Sequence, residues 1–190
     1  DLQGLKIGVP RHYFFAGDAG VGAETQDVVN VALAELEGLG ASLVEVHIPT
    51  LEHAVTANTI IMLSEGFAYH KDNLAAKPEM FGDTVRSRLY LGSLFSVSDY
   101  IQAQRVRSKL RFEFAQMFQR VDLIAGPTKG RPAAPLSAEG ADPLAVMGRP
   151  SFCSPFDQTG LPALSIPCGF SKDGLPIGLQ VAGKPFDEAL

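Results

Sequence analysis

The sequence predicts an α/β fold, a mixed β-sheet with helices packed on it, and three observations carry that reading. Short apolar runs of strand length alternate with longer stretches of helical periodicity. The first such run, helix and run have the lengths of a βαβ unit, which predicts parallel strands and a right-handed crossover. The last two apolar runs flank a tight Asp-Gly turn, the mark of an antiparallel hairpin. A chain of 190 residues is long enough for one domain that buries about 70% of its unfolded surface.

Taken in order, Leu5 to Val9 is an apolar run closed by Pro10 and reads as a buried strand. Ala23 to Leu39 is amphipathic, with Val28, Ala32, Leu36 and Leu39 at helical spacing and Gly40 just past the end as a stop. Ser42 to Val46 is the second strand. The glycines at 17, 20 and 22 between them are spaced wrongly for a dinucleotide fingerprint and read as a connector. Leu51 to Arg120 reads helical almost throughout. Its clearest piece follows Ser98 as N-cap and places Ala103, Val106, Leu110, Phe114 and Met117 on one face. The opposite face carries Arg105, Lys109 and Glu113, the last two spaced to pair. Val121 to Ala125 is a third strand, followed by a long Pro- and Gly-rich loop to about Ala141 and a weak helical stretch. Ala163 to Pro167 and Pro176 to Val181 form the hairpin around Ser171-Lys172-Asp173-Gly174. Pro185 to Leu190 reads as the first turn of a helix cut short. With Asp1 rather than Met at the start, residues 1–190 are expected to be one part of a single domain, truncated at both ends.

Composition narrows the function. A net charge of −5 and a pI near 5.3 give no electrostatic ground for nucleic acid or an anionic membrane. The longest apolar run, Ile60 to Leu63, is far shorter than the ~20 residues of a membrane span. Two cysteines make no disulfide framework, so a cytoplasmic setting is expected.

A hydrolase needs an activated nucleophile, a base within reach and donors for the developing oxyanion. No Gly-x-Ser-x-Gly elbow and no Ser-x-x-Lys occurs, and no Gly-Gly or Ser-Ser dipeptide. The four histidines never stand as His-x-x-x-His or beside a cysteine pair, so no metal or cofactor is expected, and His47 and His53 read as surface residues flanking a turn. Cys168, ending a strand beside Gly169, is the best nucleophile candidate, against the ordinary reading of a buried free thiol.

Three segments carry a resemblance. They are Leu2-Gln3-Gly4-Leu5-Lys6-Ile7-Gly8-Val9-Pro10, Asp122-Leu123-Ile124-Ala125-Gly126-Pro127-Thr128, and Thr159 to Gly169 followed by Gly174-Leu175-Pro176-Ile177-Gly178-Leu179-Gln180. Together, in this order, they resemble the C-terminal part of the amidase signature family, serine hydrolases that cleave carboxamides. The resemblance implies a Ser–cis-Ser–Lys triad in the preceding half, so no catalytic residue is assigned here, and the chain alone is expected to be inert. It implies three substrate-binding candidates. Arg88 matches a segment in which relatives place an arginine near the substrate, where a guanidinium can grip a carboxylate. Asp157 stands where the family often has Asn, and Gln180 matches a recurrent family glutamine, whose amide, if buried, needs partners and can brace neighbouring loops.

Two departures concern specificity: Lys129 and Arg131 stand where relatives run on to another proline, and Met147-Gly148-Arg149-Pro150 lacks an acidic residue seen in transamidating relatives. A free-standing amidase acting on a small-molecule amide is thus favoured. The alternatives are the glutamine-hydrolysing component of a tRNA-dependent amidotransferase and a non-catalytic binding domain. The expected partner is the missing N-terminal half, with self-association through the face it leaves uncovered.

Overall fold

The computed structural model describes residues 1–16, 20–135 and 152–190. Its elements are β1 (Lys6–Val9), α1 (Arg11–Phe14), α2 (Ala23–Gly38), β2 (Ser42–Glu45), α3 (Ala54–Ala76), α4 (Asp83–Leu91), α5 (Val97–Met117), β3 (Leu123–Pro127), α6 (Ser154–Thr159), β4 (Ala163–Phe170) and β5 (Pro176–Ala182). The sheet order is β2-β1-β3-β5-β4. β1 pairs in parallel with β2 and β3, whereas β5 runs antiparallel to both β3 and β4. The mixed sheet, the parallel first pair and the terminal hairpin agree with the sequence expectation.

The sheet is sandwiched because its central strands alternate. On one side Ile7, Val9, Ala125, Ile177 and Leu179 pack with Val29 and Leu33 of α2. On the other, Ile124 and Ala182 join Phe14, Phe152, Phe156 and the α5 residues Leu110, Phe114 and Met117. Period-2 side chains facing two helical layers are what an α/β architecture requires. Asp122 ties the start of the sheet together: its carboxylate accepts from Lys6 N at 3.0 Å and pairs with Lys184 Nζ at 3.4 Å. The Lys6 N–H first, and the lysine charges after it, hold its pKa below the usual 3.8.

Several boundaries differ from expectation. The third strand begins two residues later and runs to Pro127, and β4 continues through a register shift between Pro167 and Gly169 to reach Phe170. The N-cap of α5 is Ser96, not Ser98. Ser96 Oγ accepts from Asp99 N while Asp99 Oδ2 accepts from Ser96 N, a reciprocal capping box. Residues 185–190 form turns rather than a helical turn, and Phe186 has φ 64°, which no right-handed helix allows. Glu113 does lie 3.8 Å from Lys109, but its main partners are Thr50 N and Thr50 Oγ1, at 3.0 and 2.7 Å. It thereby fixes the 3₁₀ turn Pro49–His53 that launches α3. His47 and His53 are exposed as expected. Gly17, Met147-Gly148-Arg149-Pro150 and the loop and helical readings between 136 and 151 lie outside the described residues.

β4 forms one edge of the sheet and is exposed along its first half. Leu164, Ile166 and Phe170 are 54%, 47% and 68% accessible, an apolar edge of a kind that soluble proteins usually cover.

α3 and α4 meet at Gly92, where a Cβ would fall on the Leu63 carbonyl and within 2.8 Å of Phe67 Cβ. Only a bare backbone fits. Gly92→Ala is expected to destabilise the fold by about 1–3 kcal/mol, the usual range for overpacking. Urea unfolding should show a lower midpoint at unchanged m-value.

Candidate functional site

The candidate site is built where the β3–β5–β4 register brings three motif segments to one place. β3 ends at Pro127, and Thr128 N continues the ladder by donating to Gly178 O at 2.9 Å. Across β5, Ser165 of β4 stands opposite Gln180. Thr128 Oγ1 and Ser165 Oγ then meet over Gly178 at 2.7 Å. They can do so because Gly178 has no side chain: a Cβ there would lie 2.6 Å from Ser165 Oγ and 2.9 Å from Thr128 Oγ1.

This hydroxyl pair lines a cavity of about 210 Å³ together with Cys153, Phe156, Asp157 and Gln180. Gln180 is buried, and its Nε2 donates to Phe152 O at 3.1 Å. The amide thereby braces the segment that leads into α6. α6 itself is anchored on the start of α3, where Gln158 Nε2 donates to Ala54 O at 2.9 Å and Asn58 Nδ2 to Ser154 Oγ at 3.4 Å. Asp157 projects from this fixed turn.

Burial dominates the electrostatics of the site. Partial removal from water raises the Asp157 carboxyl above its usual 3.8, with the Lys129 ammonium pulling the other way. Burial likewise pushes the Cys153 thiol above 9.0, Lys129 opposing and Asp157 adding to the shift. Cys153 Sγ donates to Thr128 O at 3.8 Å. Cys168, half-buried, has its thiol raised by burial and donates to Ile177 O at 3.4 Å. Both thiols are therefore protonated at neutral pH, and a protonated thiol is a poor nucleophile. Among the described residues, neither cysteine nor Ser165 nor Thr128 hydrogen-bonds a lysine or histidine. Nor does any group of three or more His, Cys, Asp or Glu among them have the arrangement to hold a metal ion.

The three sequence candidates divide. Asp157 and Gln180 line the same cavity. Arg88, half-buried on α4, is not among its lining residues, and α4 packs on α3 rather than on the hairpin. Thr128 and Ser165 carried no assigned role in the sequence, although both lie in the motif segments. Their meeting follows from the strand register opposite Gly178, which no local pattern displays.

Residues 1–190 match the family model named Amidase. An amidase of Pseudomonas putida is 42% identical over 193 residues, an alignment covering 98% of this chain and 41% of that protein. The A-type component of the glutamyl-tRNA(Gln) amidotransferase of Myxococcus xanthus is 36% identical, covering 99% of this chain and 43% of that protein. Among solved structures, a crystal structure of an amidase superposes with a TM-score of 0.82 at 29% identity, over 98% of this chain and 43% of that one. The corresponding amidotransferase component from Thermotoga maritima gives 0.74 at 30% identity, over 98% and 40%. The chain thus spans about two fifths of the length of the curated relatives it matches. No helix among the described residues is long and apolar enough to cross a membrane.

The raised Asp157 carboxyl has a consequence for stability. The folded state holds this proton more tightly than the unfolded chain does. The contribution is therefore fully present below the unfolded pKa near 3.8 and is lost as pH rises through the higher folded value. Asp157→Asn removes the ionised form, and thermal unfolding is expected to show a modest rise in Tm at pH 7, since the residue is exposed overall. The gain should vanish by about pH 3.

Proposed function

This chain belongs to the amidase family, and on that premise we propose that it is the distal part of an amidase signature hydrolase that cleaves the C–N bond of a small carboxamide. The observation that carries the proposal is the pairing of a family match over all 190 residues with a site that has walls and no engine. Hydroxyls, an amide and one carboxyl converge on a cavity, and its thiol is held protonated. On this reading the nucleophile, its relay serine and its lysine come from the three fifths of the family's length that these residues do not span.

The described side chains then have binding and framing roles. Gln180 fixes the Phe152 carbonyl and with it the approach of α6. Asp157, at the cavity wall, offers acceptors to the N–H groups of a carboxamide, and the Thr128–Ser165 pair offers both a donor and an acceptor. Arg88 keeps a substrate-binding role only if the remaining part of the enzyme carries substrate to α4. The exposed apolar edge at Leu164, Ile166 and Phe170 is where that part would continue the sheet. The 42% identity with an amidase against 36% with an amidotransferase component favours the free-standing enzyme.

On this reading a longer protein carries the chain, and the test compares the two, measuring ammonia release from propionamide, benzamide and glutamine. The longer protein is expected to hydrolyse at least one simple carboxamide, and the 190-residue chain none, while light scattering shows the short chain self-associating. Turnover by the short chain would contradict the placement of the nucleophile. Failure of the longer protein on every amide would contradict the activity.

A further inference from the structure

A second cavity, of about 500 Å³, opens on the other side of the Thr128–Ser165 pair. It lies between the first turn of α2, the loop after β3 and the half of the hairpin nearer its turn, and both hydroxyl residues line it as well. The two cavities, the arms of the site, thus share this pair of hydroxyls as a common wall. The arms differ in charge. Asp157 lines the first, whereas Lys129 and Arg131 line the second, and no carboxylate is among the described residues that do. Its floor is apolar, formed by Pro167, Pro176 and Ile177.

The cations are mounted on a braced loop. Gly22 N donates to Gly130 O at 2.8 Å, which ties the middle of the loop to the start of α2. Arg131 Nε donates to Gly20 O at 3.5 Å, and Thr128 N to Gly178 O at 2.9 Å. Nearest in sequence on α2, Glu24 accepts from Lys172 N at 2.5 Å and so turns toward the hairpin. Lys129 is also within electrostatic reach of Asp157 in the neighbouring arm, which leaves Arg131 as the more independent charge. Behind the floor, Thr25 is 1% exposed, and its hydroxyl has no partner among the described residues. It belongs to the first turn of α2, where the helix favours negative charge.

We propose that this arm binds a carboxylate on the substrate through Arg131 and Lys129, so that the amide hydrolysed is the monoamide of a short dicarboxylic acid. Two cations over an apolar floor suit an aliphatic chain that ends in a carboxylate, because the methylenes are removed from water while the charge meets fixed donors. The inference rests on the amidase reading for its reaction and on this cleft for its substrate class.

The test uses the longer protein and compares kcat/KM for succinamate and glutaramate with that for butyramide, a neutral amide of similar size. At least one monoamide is expected to be preferred by about tenfold or more, the worth of one charge-assisted contact. Arg131→Ala and Lys129→Ala should each reduce the preference, Arg131→Ala by about tenfold and mainly through KM. Arg131→Glu should abolish it. Both residues are exposed, so folding is not at issue, and Arg105→Ala on the solvent face of α5 is the control that leaves the ratio unchanged. Calorimetric titration with succinate gives a readout free of turnover. If no amide is hydrolysed yet succinate binds and Arg131→Ala removes the binding, the amidase reading fails and the cleft stands. If amides are hydrolysed without preference for either monoamide, and the variants leave the ratio as it was, the cleft inference is overturned and the amidase reading survives. Absence of both preference and succinate binding overturns it equally.

Discussion

The bare backbone at Gly178 is the constraint on which the site depends. β5 lies between β3 and β4, and the side chains of its two neighbours can touch over it only where it offers no Cβ. That contact joins the end of β3 to β4 and supplies a wall common to both cavities. The same register sends Ile177 and Leu179 toward α2 while Gln180 faces Phe152. A slip of one residue would exchange the two faces, exposing the apolar pair and burying an amide without its partner. Packing and site geometry are therefore set together by one strand.

The helical layer has a different task. α3, α4 and α5 pack against one another through Ala57, Ile61 and Ala103 and through the close approach at Gly92. Glu113 and Gln158 connect this layer to the 3₁₀ turn before α3 and to α6. A short α6 could not hold Asp157 in place by its own stability, since six residues are too few for an independent helix. Its anchors on α3 supply the rigidity. The resulting arrangement is a braced wall with acceptors, hydroxyls and neutral thiols, which fits the proposed division of labour: binding and framing from this chain, bond cleavage from protein beyond it.

Much of the fold was legible because its signals are local. Pro10, Gly40 and the Asp173-Gly174 turn punctuate the sequence where strands and helices end, and the stripe from Ala103 to Met117 marks the buried face of α5. Expectation and structure part where a specific partner overrules a local pattern. Ser98 has the residue type of an N-cap, but Asp99 reaches back to Ser96 and sets the cap there. Pro185 suits a helix start, but the chain turns instead at Phe186, and nothing packs on that exposed side chain to favour a helix. Glu113 looked like half of a surface ion pair, whereas its stronger partners at Thr50 lie 63 residues away. The site was legible only as motif segments. Which of their residues meet is decided by long-range contacts: cross-strand register brings Thr128 to Ser165, and the packing of α4 on α3 keeps Arg88 away from Asp157 and Gln180.

The central claim, that the reactive hydroxyl belongs to protein outside these residues, is tested most directly by covalent labelling with a serine-directed fluorophosphonate, read by intact mass and peptide mapping. The account predicts no adduct on the 190-residue chain and a single adduct on the longer protein, mapped to a serine upstream of Asp1. A stoichiometric adduct on Ser165, or on any other hydroxyl of this chain, would contradict it.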